Sequence, residues 1–269
     1  MPFFGDKKTT LIQKLIISLS RHTPLGRGGS RKILTHILRM TRKDFIDITA
    51  LGCKFRAAFW DNNPEMKMIM RPDQYAPDEI NFLKSELMPN DIFVDIGANA
   101  GIFSLVAAKE LAGTGKVIGF EPNPEMFRRL NDNAALNPGT RIITVQAAVS
   151  DKTGTVWFNC NDKEQGGSHI STAQDQESTE TESCILHEKL LELGISRISG
   201  IKIDIEGHED KVIHSFLAQD KIQLPRFIIM ETIFLDEQNS CLNSLLKYGY
   251  RPIHQTAANI CLLLDRAYF

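Results

Sequence analysis

Short apolar runs alternate with helix-period stretches along most of the chain. Ile92, Phe93, Val94 and Ile96 make a buried strand broken only by Asp95, and Gly97 and Gly101 then bracket a turn into a helical pattern from Phe103 to Leu111. The unit recurs: Lys116 to Phe120 reads as a second strand, Glu125 to Leu136 as a helix, and Arg141 to Ala148 as a third strand. Gly154 to Asn159 is a short strand, and Ile185 to Leu193 a helix stopped by Gly194. Gly200 to Ile205 is the fourth main strand, followed by a helix through Val212, Ile213 and Phe216. Arg226 to Met230 is the fifth, a helix carries Leu242 to Leu246, and a hairpin of Tyr250 to His254 with Ile260 to Asp265 closes the chain. Such spacing predicts an α/β fold, a doubly wound and mostly parallel sheet with right-handed crossovers and a ligand site at the carboxyl ends of its strands.

Three segments are expected. Residues 1–43 form a helical arm, in which Leu11, Ile12, Leu15, Ile16 and Leu19 recur at helical spacing and a second helix starts from Ser30 as N-cap and carries Ile33, Leu34, Ile37 and Leu38. Thr-Pro-Leu-Gly-Arg-Gly-Gly reads as a flexible link between them. Residues 44–74 switch to period two, with Cys53, Phe55, Ala57 and Phe59 on one face, which predicts a small antiparallel β extension followed by a turn at Asp61 to Pro64. Residues 75–269 are the main domain, entered through a helix carrying Ile80, Leu83 and Leu87.

Charge divides the same way. The net charge of −2 conceals an arm of +9, ten Lys or Arg against Asp6, and a remainder of −11. A basic amphipathic arm suits peripheral contact with an anionic inner membrane surface, or packing on the main domain or on a second subunit in a homo-oligomer. An acidic body without an aromatic platform beside a basic groove argues against nucleic acid. The five cysteines, 53, 160, 184, 241 and 261, are scattered, never C-x-x-C, and read as reduced thiols of a cytoplasmic protein. No apolar run is long enough for a transmembrane helix. The polar stretch 161–183, with Gly166, Gly167, Ser168 and His169, reads as a lid or binding loop, or as a solvated linker.

Chemistry gathers at strand ends. Asp95, Glu121 and Asp204 end three successive parallel strands, and charged groups there are costly unless a ligand or partner uses them. Glu121 lies twenty residues beyond Gly101, where a carboxylate can accept both hydrogen bonds of a ribose diol. A dinucleotide site wants G-x-G-x-x-G, whereas Gly97-Ala98-Asn99-Ala100-Gly101 lacks the second glycine and has Asp95 close by. A carboxylate suits a cationic ligand better than a pyrophosphate. S-adenosylmethionine, with a sulfonium, an ammonium and a ribose, fits.

Together Phe93-Val-Asp-Ile-Gly-Ala-Asn-Ala-Gly101, Phe120-Glu-Pro-Asn-Pro124 and Ile201-Lys-Ile-Asp-Ile-Glu-Gly-His-Glu209 resemble the FkbM family of S-adenosylmethionine-dependent methyltransferases, with a likeness running from about Tyr75 to Asp265. The resemblance implies a class I, Rossmann-like, seven-stranded sheet whose last strand is antiparallel. It implies O-methylation of a hydroxyl on a small-molecule or carbohydrate acceptor: a sugar, glycolipid or other secondary metabolite. By position, Asp95, Gly97, Asn99 and Gly101 would line the methionine, Glu121 with Pro122 the ribose, and Ala147 or Ala148 the adenine, while Asp204 would face the methyl. The segment Glu231-Thr232-Ile233-Phe234 lacks a histidine found near there in many relatives.

An alcohol attacks well only if its proton leaves as it does so, and a general base typically contributes about 10²- to 10⁴-fold. His208, Asp204 and Glu206 are the candidates. The alternative is that Asp204 only orients the cofactor while Glu206, Gly207 and His208 cap the next helix. Asp204, Glu206, His208 and Glu231 also make an oxygen-rich set suited to a hard divalent ion. A nitrogen acceptor, or a cofactor-binding module without catalysis, are the competing functions.

Overall fold

The computed structural model describes residues 3–159, 169–171, 178–234 and 241–265. Its centre is a seven-stranded sheet of β3 (Ile92–Ile96), β4 (Lys116–Phe120), β5 (Ile142–Val145), β10 (Gly200–Ile203), β11 (Phe227–Glu231), β12 (Tyr250–Gln255) and β13 (Asn259–Leu264). Their order is β12-β13-β11-β10-β3-β4-β5. β13 runs antiparallel to both β11 and β12, and the other neighbours are parallel. This is the class I, Rossmann-like arrangement that the sequence implied. The winding reverses between β3 and β10, so the helices after those two strands leave on opposite faces and open a crevice at their carboxyl ends.

Strand alternation builds a core on each face. Val94, Ile96, Ile118, Phe120, Ile201 and Ile203 point to one side, where they meet α7 (Leu186–Glu192), α8 (Glu209–Leu217) and α9 (Cys241–Lys247). Phe93, Val117, Phe227 and Ile229 point to the other, against α4 (Pro77–Glu86) and α5 (Ile102–Glu110). Asp95 therefore shares the α5 face with Phe93. The helix α6 (Pro124–Ala135) begins sharply because the Asn123 side chain accepts from the backbone N–H groups of Glu125 and Met126, with Pro124 preset for the first turn.

The N-terminal segment has α1 (Leu11–His22) and α2 (Gly28–Arg39) ahead of the hairpin β1 (Ile46–Ala50) and β2 (Cys53–Ala57). Ile16, Leu34 and Leu38 pack with Ile46, Phe55, Met68 and Ile69, and this cluster reaches Ile102 and Leu105 of α5. The arm is thereby seated on the body, while Leu11, Ile12, Leu15 and Ile33 stay exposed. Two expectations are corrected here. Ser30 lies inside the first turn of α2, where its Oγ donates to the Arg27 carbonyl, so Arg27 is the capping position. The supposed flexible link is a 3₁₀ turn, Pro24–Gly26, capped by Thr23, which runs straight into α2.

Asp61 to Pro64 is likewise more than a turn. Asn62 accepts from the Glu65 N–H and opens α3 (Asn63–Met70), with Pro64 in its first turn. The buried Arg129 of α6 pairs with Asp61 and Glu65 around this helix start and binds the extension to the main sheet. Breaking such a pair costs about 3–5 kcal/mol, because the remaining charge stays buried.

The single strand expected from Arg141 to Ala148 divides. β5 belongs to the main sheet, and β6 (Ala148–Ser150) turns away into a four-stranded sheet with β9 (Ser178–Ile185), β7 (Gly154–Asn159) and β8 (His169–Ser171), in the order β6-β9-β7-β8. The C-terminal part of the 161–183 stretch is thus strand rather than loop or linker. His169 lies in β8, and Gly166, Gly167 and Ser168 fall outside the described residues. Cys53, Cys184, Cys241 and Cys261 are buried free thiols. Among the described residues no helix is long and apolar enough to cross a membrane.

Candidate active site

The turn after β3 is shaped by its neighbours. Asp95 is fully buried; Ser104 Oγ donates to its Oδ2 at 2.6 Å, whereas Oδ1 has no partner. Burial raises the pKa of this carboxyl against the pull of Lys202 and the Ser104 hydrogen bonds. Gly97 has φ +78°, and a Cβ there would stand 1.9 Å from the Asp204 carbonyl oxygen. The missing side chain makes room for the Asp204 backbone just past β10, and Gly97 also lines the cavity. Gly101, at φ +91°, caps α5 and presses on Leu130, away from the cavity wall. Asn99 adopts φ +52°, donates its N–H to Glu121 Oε2 at 2.7 Å, and has its side chain fixed by Asn62 Nδ2 at 2.7 Å.

Glu121 is held from both sides. Its Oε1 accepts from the Asn123 N–H at 2.9 Å and its Oε2 from Asn99, leaving each oxygen with further acceptor capacity in a residue that lines the cavity. Burial pushes its pKa up to about 7, against those two N–H groups, which favour the ionised form. Pro122, Ala147, Ala148 and Val149 continue the wall.

Past β10 the chain delivers the acidic cluster. Lys202 Nζ donates to Asp204 Oδ2 at 2.9 Å and lies 4.8 Å from the centre of the Phe103 ring. Burial opposes the Lys202 charge, but Asp204 and Asp95 outweigh it and raise its pKa. Sequence reasoning gave this lysine no role; its signal was a lone cation inside an otherwise apolar strand. Glu206, at φ +52°, has its pKa raised by burial and by the charges of Asp204 and Glu209. Glu231, at the end of β11, is pushed up to about 8 by burial and then by Asp204 and Glu206. One oxygen each of Asp204, Glu206 and Glu231 falls within 4.8 Å of the others.

His208 stands apart from these. It does not line the cavity, and its Nε2 lies 3.0 Å from Ser150 Oγ. Burial, then Lys211, lowers its pKa. His208 is the N-cap position of α8 but its side chain makes no capping hydrogen bond; Glu209, the first residue of the helix, accepts from the Ile205 and Gly207 N–H groups at 3.0 Å each and braces the loop ahead of it.

These groups face one cavity of about 530 Å³, a size suited to a cofactor-sized ligand. Two walls went unread in the sequence. Tyr75 to Glu79 forms one, and the tip of the closing hairpin, Thr256 to Asn259, forms another; Asn259 Nδ2 joins them by donating to Glu79 Oε1 at 2.9 Å. Seven carboxylates against Lys67 and Lys202 make the cavity wall strongly acidic.

Residues 95–252 match the methyltransferase FkbM domain, from the Asp95 turn to the edge strand of the sheet. The chain belongs to the FkbM methyltransferase family. The resemblance carried by the three motifs is thereby borne out. Among curated FkbM-like relatives, the hexuronic acid methyltransferase AglP of Haloferax volcanii is 30% identical over 156 residues, covering 57% of this chain and 61% of that protein. The 31-O-demethyl-FK506 methyltransferase FkbM of Streptomyces tacrolimicus is 31% identical over 158 residues, covering 48% of this chain and 60% of that protein. The methyltransferase sdnD of Sordaria araneosa is 25% identical, covering 64% and 82% respectively. The chain thus spans about three fifths of the length of the first two.

Proposed function

We propose that this protein is an S-adenosylmethionine-dependent O-methyltransferase acting on a hydroxyl of a sugar, glycolipid or related secondary metabolite. The observation that carries this reading is Glu121, a cavity-lining residue fixed by two backbone N–H groups with further acceptor capacity on each oxygen, on the strand next to the unpartnered Oδ1 of buried Asp95. A ribose diol can satisfy the first and an ammonium the second. An acidic wall further favours a cationic donor over a pyrophosphate. Two relatives named for a hexuronic acid and for 31-O-demethyl-FK506 support an oxygen acceptor on a sugar or secondary metabolite.

S-adenosylmethionine, when bound, supplies an electrophilic methyl on a sulfonium. The chain's contribution is positioning and proton removal. Asp95, Asn99, Glu121 and the Ala147–Val149 wall hold the donor, and the Tyr75–Glu79 and Thr256–Asn259 walls narrow the approach to it. Asp204 and Glu206 are the carboxylates on the acceptor side; Lys202 pins Asp204, while Glu206 has its pKa raised towards the range where a base works at neutral pH. Glu206 takes the acceptor's proton as its oxygen attacks in line, and Asp204 orients the acceptor. His208 steadies the turn through Ser150. The test is label transfer from methyl-labelled S-adenosylmethionine to uronic-acid glycosides and polyketide hydroxyls, in wild type and Glu206→Gln. Oxygen-linked label that the variant loses supports the reading; equal transfer by both removes Glu206 from it, and label on nitrogen overturns the acceptor.

A further inference from the structure

We infer that Asp204, Glu206 and Glu231 form a divalent-cation site on the acceptor side of this cavity, selective for a hard ion such as Mg²⁺ or Mn²⁺. Three carboxylate oxygens within 4.8 Å of one another, on the adjacent ends of β10 and β11, match the spread of a facial oxygen ligand set. A cluster of acids alone would not suffice, since acidic groups commonly gather at a surface. Glu231 supplies the independent observation. The residue is only 9% exposed and lines the cavity beside the other two, yet its Oε2 is buried without any hydrogen-bond partner. A buried carboxylate oxygen left bare costs about 1–3 kcal/mol or more, and natural sites rarely carry that without a ligand to satisfy it.

Lys202 does not discharge this need. Its ammonium is engaged with Asp204 Oδ2 and the Phe103 ring. The ligand set contains no sulfur and no imidazole, because His208 faces Ser150 instead, so the donor chemistry favours a hard cation over zinc or copper. Each carboxylate offers one oxygen to the ion. Open coordination positions would then select acceptors that present two neighbouring oxygens, as a vicinal diol or a hydroxy acid does.

This inference rests on the methyl-transfer reading for its purpose but not for its detection. Mn²⁺ binding to the full chain, followed by loss of the free-ion paramagnetic resonance signal, is measured alongside calorimetric binding of S-adenosylhomocysteine. One Mn²⁺ per chain is expected, weakened at least tenfold in Glu231→Gln and in Glu206→Gln, with the S-adenosylhomocysteine affinity changed less than threefold. Thermal unfolding guards against misfolding: Mn²⁺ should raise the midpoint of wild type, while Glu231→Gln without metal should melt no lower than wild type and gain nothing from Mn²⁺. Absence of Mn²⁺ binding, or binding unaltered by both substitutions, overturns the cation site. Loss of S-adenosylhomocysteine binding with Mn²⁺ binding intact would instead strike the donor reading and leave the cation site standing.

Discussion

The donor and acceptor halves of the cavity are built on opposite principles. On the donor side, Asn99 is fixed by Asn62, Glu121 by two backbone N–H groups, and Gly97 by the closeness of the Asp204 carbonyl. On the acceptor side, Glu206 and Glu231 accept none of the side-chain hydrogen bonds seen among the described residues, and repulsion within the cluster raises both pKa values after burial does. Under the proposed function, the donor half is preorganised for its ligand. Under the same proposal, the acceptor half carries unspent electrostatic stress, where the chemistry would take place.

The sharpest break in this contrast is catalytic. Glu206→Gln should lower kcat by about 10²- to 10⁴-fold, the usual worth of a general base, and leave donor binding within threefold. His208→Ala, off the cavity wall, should change kcat less than tenfold in the same assay. If the histidine variant is the one that fails, the two assignments exchange.

Next in size is the structural demand at the turn. Gly97→Ala places a Cβ against the Asp204 carbonyl at a φ that L residues disfavour, so denaturant unfolding should register a loss of about 2–4 kcal/mol. A neutral result would mean that the turn is looser than its contacts indicate.

Glu121→Gln keeps the shape but replaces an ionised acceptor, and should weaken S-adenosylhomocysteine by about 10- to 100-fold in calorimetry, the worth of charge-assisted hydrogen bonds. The smallest effect is a pH dependence. Glu121 has a free-state pKa of about 7, and a ribose diol donating to it favours the ionised form. Binding therefore strengthens as pH rises through 7 and weakens below it, by roughly eightfold from pH 7.5 to pH 6, with the proton released on binding. Glu121→Gln should flatten that slope.

How far the sequence could be read follows the same division. Asp95, Glu121 and Asp204 were legible because each closes an apolar run of strand length, and period and position sufficed. The sheet that follows β5 was hidden because β9 buries Thr181 and Ser183 where a strand normally buries apolar side chains, so its alternation of small hydroxyls with Glu180 and Glu182 reads as polar coil. The helix α3 was hidden by Asn62, Asn63 and Pro64, residues that end structure as readily as they start it. Lys202 and the hairpin tip act through partners distant in the chain, and no local pattern encodes which strand ends become neighbours.

The central claim is that the turn from Asp95 to Gly101, with Glu121, holds a methyl donor rather than a dinucleotide. Calorimetric titration of the full chain with S-adenosylhomocysteine and, separately, with NAD⁺ tests it most directly. The account predicts one S-adenosylhomocysteine per chain and no measurable NAD⁺ binding; tight NAD⁺ binding with no response to S-adenosylhomocysteine would contradict it.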